Sequence, residues 1–259
     1  MGEFITKSAW TMVPPEPYSA FHILFTTVGI ICAVFLAHTF SMKSNSGKLN
    51  RLLFLCGLFL AVSEMYKQLF LYYVVNDKTY DWWYFPFQLC SIPMYLCLVL
   101  PLIRNSRVRT VLLTFLHDFG LLGGIMALAE PSGLLHPYWF LTLHGLLWHV
   151  LLIFIGLSIG FSRAYDTSLS GYAKTLPLLL FCCAIASIIN VTAKPAGQAD
   201  MFYISPFYPN NQIVFHEIAM TLGITAGNLI YLASVCFGGF LIHTIFAWIF
   251  GKKKDRAGY

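Results

Sequence analysis

Two short stretches of this sequence hold residues able to do covalent chemistry. The first is Tyr84-Phe85-Pro86-Phe87-Gln88-Leu89-Cys90-Ser91-Ile92-Pro93, and the second is Leu143-His144-Gly145. A thiol beside an imidazole is the pair that acyl transfer through a thioester needs. In apolar surroundings a thiol stays protonated and inert, so Cys90 requires a base, and His144 is the candidate. Gln88, Ser91 and Asn190 are candidate hydrogen-bond donors to the oxyanion that such an attack would create. Bland readings stand beside these. A free cysteine is most often a small core-filling residue, and an intramembrane histidine or glutamine commonly just ties helices together.

A second set is polar and ionisable. Glu64 and Lys67 are three residues apart, so they share a helix face with Gln68. They read equally as an intrahelical ion pair and as part of a proton or substrate site. Asp118 has no opposite charge on its own helix, which makes Lys67 its expected partner. His117 and Asp118 are adjacent and point about 100° apart, so they are expected to face different neighbours. His144 and His149 are five apart and cannot form one metal site from their helix alone. Each such group at membrane depth costs on the order of 3 kcal/mol, so each should face a cavity or a partner.

The elements that must hold these residues are apolar and long. The chain has 259 residues, 58% of them hydrophobic and only 10% charged; a soluble domain carries about 25% charged residues. Runs of about 20 apolar residues, enough to cross a bilayer, are predicted at roughly 20–40, 52–75, 85–103, 108–129, 138–160, 175–194 and 218–249. The last is over-long. The fold class is therefore all-α: a polytopic bundle of seven transmembrane helices over residues 20–250. A polar N-terminal arm (1–19) and a basic tail (251–259) flank it.

Placing the N-terminus outside and the C-terminus inside puts 12 of the 16 Lys and Arg residues on inner segments, as the positive-inside rule requires. The net charge of +5 then belongs to flanks touching anionic headgroups, and nucleic-acid binding is not implied. With a rise of about 1.5 Å per residue, Cys90 and His144 each fall roughly 8–9 Å below the outer boundary, Lys67 about 12 Å, and Glu64 and Asp118 about 16 Å. The polar set is biased to the outer half. Pro93 is expected to kink the third span beside Cys90. The connection 195–217, rich in Pro and aromatic residues, reads as an interfacial rim or as a lid. Asn190-Val191-Thr192 matches a glycosylation sequon, but at a helix end too close to the membrane to serve as an acceptor. The seven cysteines show no disulfide framework and no metal-ligand spacing. No Gly-rich phosphate loop, HExxH or GxSxG occurs, which argues against ATP-driven transport and zinc proteolysis.

From about residue 20 to 240 the sequence resembles the YwaF-type integral membrane family, related to the transmembrane protein 164 acyltransferases. The resemblance rests on Glu64 after a serine, on Pro86-Phe87-Gln88-Leu89-Cys90-Ser91-Ile92, on Leu143-His144-Gly145 and, more faintly, on Met201-Phe202. It implies Cys90 as nucleophile, His144 as base, and transfer of a fatty acyl chain between lipids through an acyl-cysteine, with no cofactor or metal. Gln88 departs from the family pattern, where a histidine is usual.

Two functional expectations follow. One is a lipid acyltransferase or hydrolase of the cell membrane with an outer-leaflet Cys/His site, membrane lipids as partners, and a phospholipid or lysolipid as substrate. Glu64, Lys67 and Asp118 would then form a supporting network or bind the headgroup. The other is a proton-coupled transporter or small-molecule receptor, with Glu64, Lys67, Asp118 and His144 lining an outward pocket.

Overall fold

A computed structural model describes residues 2–42 and 45–251; the predicted tail beyond Gly251, and Lys43, lie outside them. The described residues are all helix, turn and loop, with one isolated bridge between Thr11 and Tyr138 and no strand. Among the described residues ten α-helices follow in order: α1 (Gly2–Lys7), α2 (Ala20–Met42), α3 (Ser46–Phe70), α4 (Ile92–Val99), α5 (Ser106–Ala129), α6 (Trp139–Phe161), α7 (Leu169–Ala173), α8 (Leu176–Ala193), α9 (Ile213–Leu222) and α10 (Ile224–Gly251).

Six helical stretches among the described residues are long and apolar enough to cross a membrane: Ala20–Met42, Ser46–Val75, Ser106–Ala129, Trp139–Phe161, Leu169–Ala196 and Ile224–Phe250. Their outward faces are apolar. On α2, Ile23, Leu24, Ile31 and Phe35 are exposed, and on α10 Leu229, Phe237 and Trp248 are. Faces of that kind suit hydrocarbon rather than water.

The third predicted span differs from expectation. Its helical part is the shorter Leu89–Leu102, and residues 85–88 ahead of it are not helical. Pro93 lies in the first turn of α4, where a missing N–H costs nothing, so it opens the helix instead of kinking its interior. The over-long last span is divided at Gly223. Its φ of +89° suits glycine and strains any other residue, and it separates α9 from α10.

The chain forms two compact units: Met1–Tyr80 with Pro93–Asp166, and Asp81–Ile92 with Thr167–Tyr259. In the first unit α6 packs against α5, α2 and α3. Small residues allow this closeness: a Cβ on Gly156 would sit 2.5 Å from Leu121 Cγ, and one on Gly124 would sit 2.9 Å from the His149 carbonyl. Helix α3 starts on Asn45, whose side chain accepts from Lys48 N, and α5 on Asn105, which accepts from Arg107 N and Val108 N. The N-terminal arm is not loose. Ile5 is buried, Ser8 bonds the Tyr66 hydroxyl, and Met12 N donates to the Pro137 carbonyl.

In the second unit α9 folds back along α10. A Cβ on Gly227 would lie 2.8 Å from Ala219 Cα, and the Phe215 and Tyr231 rings are 5.0 Å apart. In the connection ahead of α9, Ala199, Asp200, Met201, Phe202, Ile204, Ser205 and Asn210 are buried.

Candidate functional site

Cys90 lies on a single 3-10 turn, Leu89–Ser91, that leads directly into α4. Gln88 before it is extended (φ −88°, ψ 165°), and its carbonyl accepts from Ser91 N at 2.8 Å, closing the turn around Cys90. Cys90 is half-buried and Ser91 is buried.

The Gln88 and Asn190 side chains are not disposed as the oxyanion donors expected from sequence. Gln88 Nε2 donates to the Asp200 carbonyl at 2.8 Å, and Gln88 Oε1 accepts from Phe202 N at 2.7 Å. Asn190 Nδ2 donates to the Met201 carbonyl at 3.1 Å, and Asn190 Oδ1 accepts from Met201 N at 2.6 Å. Two amides thus satisfy both polar groups of two successive peptide bonds, 200–201 and 201–202. They hold a turn in which Phe202 (φ 58°) and Tyr203 (φ 55°) are left-handed, a conformation that bulky residues adopt only when their surroundings impose it. Asp200 Oδ1 accepts from Ser205 N, Asn228 Nδ2 donates to the Ser205 carbonyl, and Asn210 Nδ2 to the Tyr203 carbonyl. Asn190 is fully buried, so its sequon is no surface acceptor.

His144 belongs to the first unit. There Glu64 Oε1 accepts from Gln68 Nε2 at 2.7 Å and pairs with Lys67 Nζ at 2.8 Å. The intrahelical ion pair read from the three-residue spacing is present. His144 Nε2 lies 4.0 Å from Glu64 Oε2, beyond hydrogen-bond reach, and its side chain is only 8% exposed. This buried nitrogen makes no hydrogen bond among the described residues. The ring packs between Phe140 and Trp148. His149 is spoken for, with Nδ1 2.7 Å from the Gly145 carbonyl.

Asp118 corrects two expectations. The described ion pairs join Lys67 to Glu64 and Asp118 to its own neighbour, with His117 Nδ1 2.7 Å from Asp118 Oδ1. The 100° between adjacent residues separates Cβ directions only. Nδ1 lies two bonds beyond Cβ, close enough to the helix to swing sideways to the next side chain. Both side chains are fully buried, and the imidazole stacks on Tyr165 at 4.1 Å. Burial, and then the charge of Asp118, push the Tyr165 phenol upward. Nothing in the sequence signalled this dyad or the main-chain clamp; Met201-Phe202 was visible only as a motif.

Two loop groups have shifted titration. Burial pushes the Asp200 carboxyl up to about 6, against the hydrogen bond from Ser205, which favours the carboxylate. His136, just ahead of α6, is lowered, chiefly by burial and also by the Lys67 charge. Among the described residues no group of three or more His, Cys, Asp or Glu is placed to hold a metal ion.

With six membrane-length apolar helices and no strand among the described residues, the chain is a multi-pass integral membrane protein. It belongs to the TMEM164 family, whose pattern it matches over residues 17–233. No curated protein and no solved structure matches it.

Proposed function

We propose that this protein is a membrane-embedded lipid acyltransferase or lipid hydrolase that carries the acyl group on Cys90. The observation that bears most weight is the placing of Cys90 on a closed 3-10 turn at the head of α4, in a member of the TMEM164 family. Cys90 Sγ attacks the ester carbonyl carbon of a lipid, and the ester C–O bond breaks. The leaving lipid alcohol takes up the proton that came from the thiol. A thioester remains, which water or a second lipid alcohol resolves, restoring the thiol. His144 is the base in this reading. Its Nε2 makes no hydrogen bond among the described residues, which leaves a lone pair for proton transfer when Nδ1 carries the ring proton. Glu64 and Lys67 support that ring or a headgroup, and Ser91 is the remaining side-chain donor for the oxyanion.

The reading includes a topology. The short stretch Leu89–Leu102 is a third crossing, which makes seven, with the N-terminus outside and the C-terminus in the cytoplasm of a cell-membrane protein. The asymmetry of Lys and Arg between alternate connections supports it. The transport alternative is less well supported, because Asp118 pairs with His117 and not with Lys67.

The test is protein in lipid nanodiscs with a phospholipid bearing an alkyne-tagged acyl chain. A hydroxylamine-labile adduct on Cys90, lost in Cys90→Ala and slowed in His144→Ala, is the expected result. An adduct that persists in Cys90→Ala would overturn the assignment.

A further inference from the structure

Gln88 is the residue where this chain departs from the pattern it resembles, and its geometry gives it a task of its own. Its side chain and its carbonyl act in different directions. The side-chain amide spans residues 200 and 202, donating to the Asp200 carbonyl and accepting from Phe202 N. The main-chain carbonyl accepts from Ser91 N. Leu89 and Cys90 are the residues enclosed by that second bond. The partner of the amide is a firm support. Asp200, Met201 and Phe202 are each 2% exposed or less, and Phe202 packs on the Phe87 ring at 6.0 Å.

We infer that Gln88 is a positioning residue for Cys90, its amide fastening the thiol-bearing turn to the clamped left-handed turn at 200–203. This rests on the reading of Cys90 as nucleophile. A side chain with both a donor and an acceptor is required, because the amide meets a carbonyl on one side and an N–H on the other. An ionised carboxylate offers two acceptors and would set one against the Asp200 carbonyl.

Asn190 supplies the built-in control. It makes the same number of hydrogen bonds to the same turn as Gln88, but it carries no part of the Cys90 segment. A residue that only stabilises the fold predicts equal consequences for the two amides. A positioning residue predicts that Gln88 alone governs the thiol.

The experiment uses the full chain in nanodiscs and a lipid-like chloroacetamide, with saturation kinetics of Cys90 alkylation. Gln88→Leu should lower the maximal alkylation rate constant by about tenfold or more with little change in the half-saturating concentration, since misplacing a reacting atom acts on the rate at saturation. Asn190→Leu should leave that constant within about twofold of wild type after correction for the folded fraction. Labelling of Cys32, an exposed thiol, serves as the reference in both. In Gln88→Glu, protonation restores a donor, so the ratio of its rate to wild type should rise as pH falls. Equal losses in the two leucine variants, or a Gln88→Glu ratio independent of pH, overturn the inference.

Backbone hydrogen exchange over residues 89–91 gives a readout free of thiol reactivity. It should quicken by about tenfold or more in Gln88→Leu and not in Asn190→Leu. If wild-type Cys90 resists the probe, the nucleophile reading falls, and this exchange decides the positioning by itself: unchanged exchange in Gln88→Leu overturns it.

Discussion

Replacing Asn190 by leucine isolates the energetics of the main-chain clamp. Leucine has the same branched heavy-atom skeleton as asparagine and is bulkier, so no cavity is opened, but both hydrogen bonds from Asn190 to Met201 disappear. These run at 2.6 Å to Met201 N and 3.1 Å to the Met201 carbonyl. Met201 is fully buried, so water cannot replace either partner. The Met201 carbonyl keeps the Ile204 N–H at 3.4 Å, so Met201 N is the group left orphaned, at a cost of about 1–3 kcal/mol. For a chain of this size that corresponds to a fall of about 2–12 °C in the melting midpoint. Thermal melting of the detergent-solubilised protein, followed by size-exclusion fluorescence, measures it. Asn190→Asp adds a sign test. As a carboxylate it sets a second acceptor against the Met201 carbonyl, whereas the neutral acid can donate there. The stability of this variant should therefore approach wild type at low pH and fall as pH rises. A midpoint for Asn190→Leu within about 2 °C of wild type would refute the reasoning.

Asp200 should make stability pH-dependent in the same sense. Its carboxyl titrates at about 6 in the folded chain against 3.8 normally, so its contribution is fully present below the unfolded pKa and falls as pH rises through about 6. Asp200→Asn should therefore melt higher than wild type at pH 8, by an increment on the order of 1–3 kcal/mol, and that gain should vanish near pH 4. His117→Leu removes the Nδ1 partner of a fully buried carboxylate and should cost about 3 kcal/mol or more, seen as lost monodisperse protein or a lowered melting midpoint. Gly156→Ala drives a methyl to 2.5 Å from Leu121 Cγ at the α5–α6 contact. A loss of about 1–3 kcal/mol is expected in the same melt, and no loss would mean the helices separate at little cost.

Residue type alone carried the membrane class, because lipid demands long apolar helices whose backbone groups are satisfied internally. The spans at 20–40, 108–129 and 138–160 were legible to within two residues of α2, α5 and α6. The ion pair of Glu64 with Lys67 was legible for an equally local reason, since three residues make most of a turn. Where the sequence misled, the deciding contacts were between distant segments or depended on side-chain reach. Pro93 looked like a kink, but α4 begins at Ile92, so the proline sits in a first turn. His117 and Asp118 looked divergent because spacing reports Cβ directions and not the positions of ring nitrogens.

Gln88 and Asn190 show the division most clearly. The sequence determined that two amides lie at the ends of apolar runs, and that a cysteine follows one of them by two residues. It also determined, through Phe202 and Tyr203, that a left-handed turn there would be strained. Only the tertiary structure decided that both amides spend their hydrogen bonds on that turn, 112 residues from Gln88 and 11 from Asn190. The physical reason is that a buried amide takes whatever unpaired backbone the fold brings beside it, and which backbone arrives is fixed by chain topology, not by neighbours in sequence.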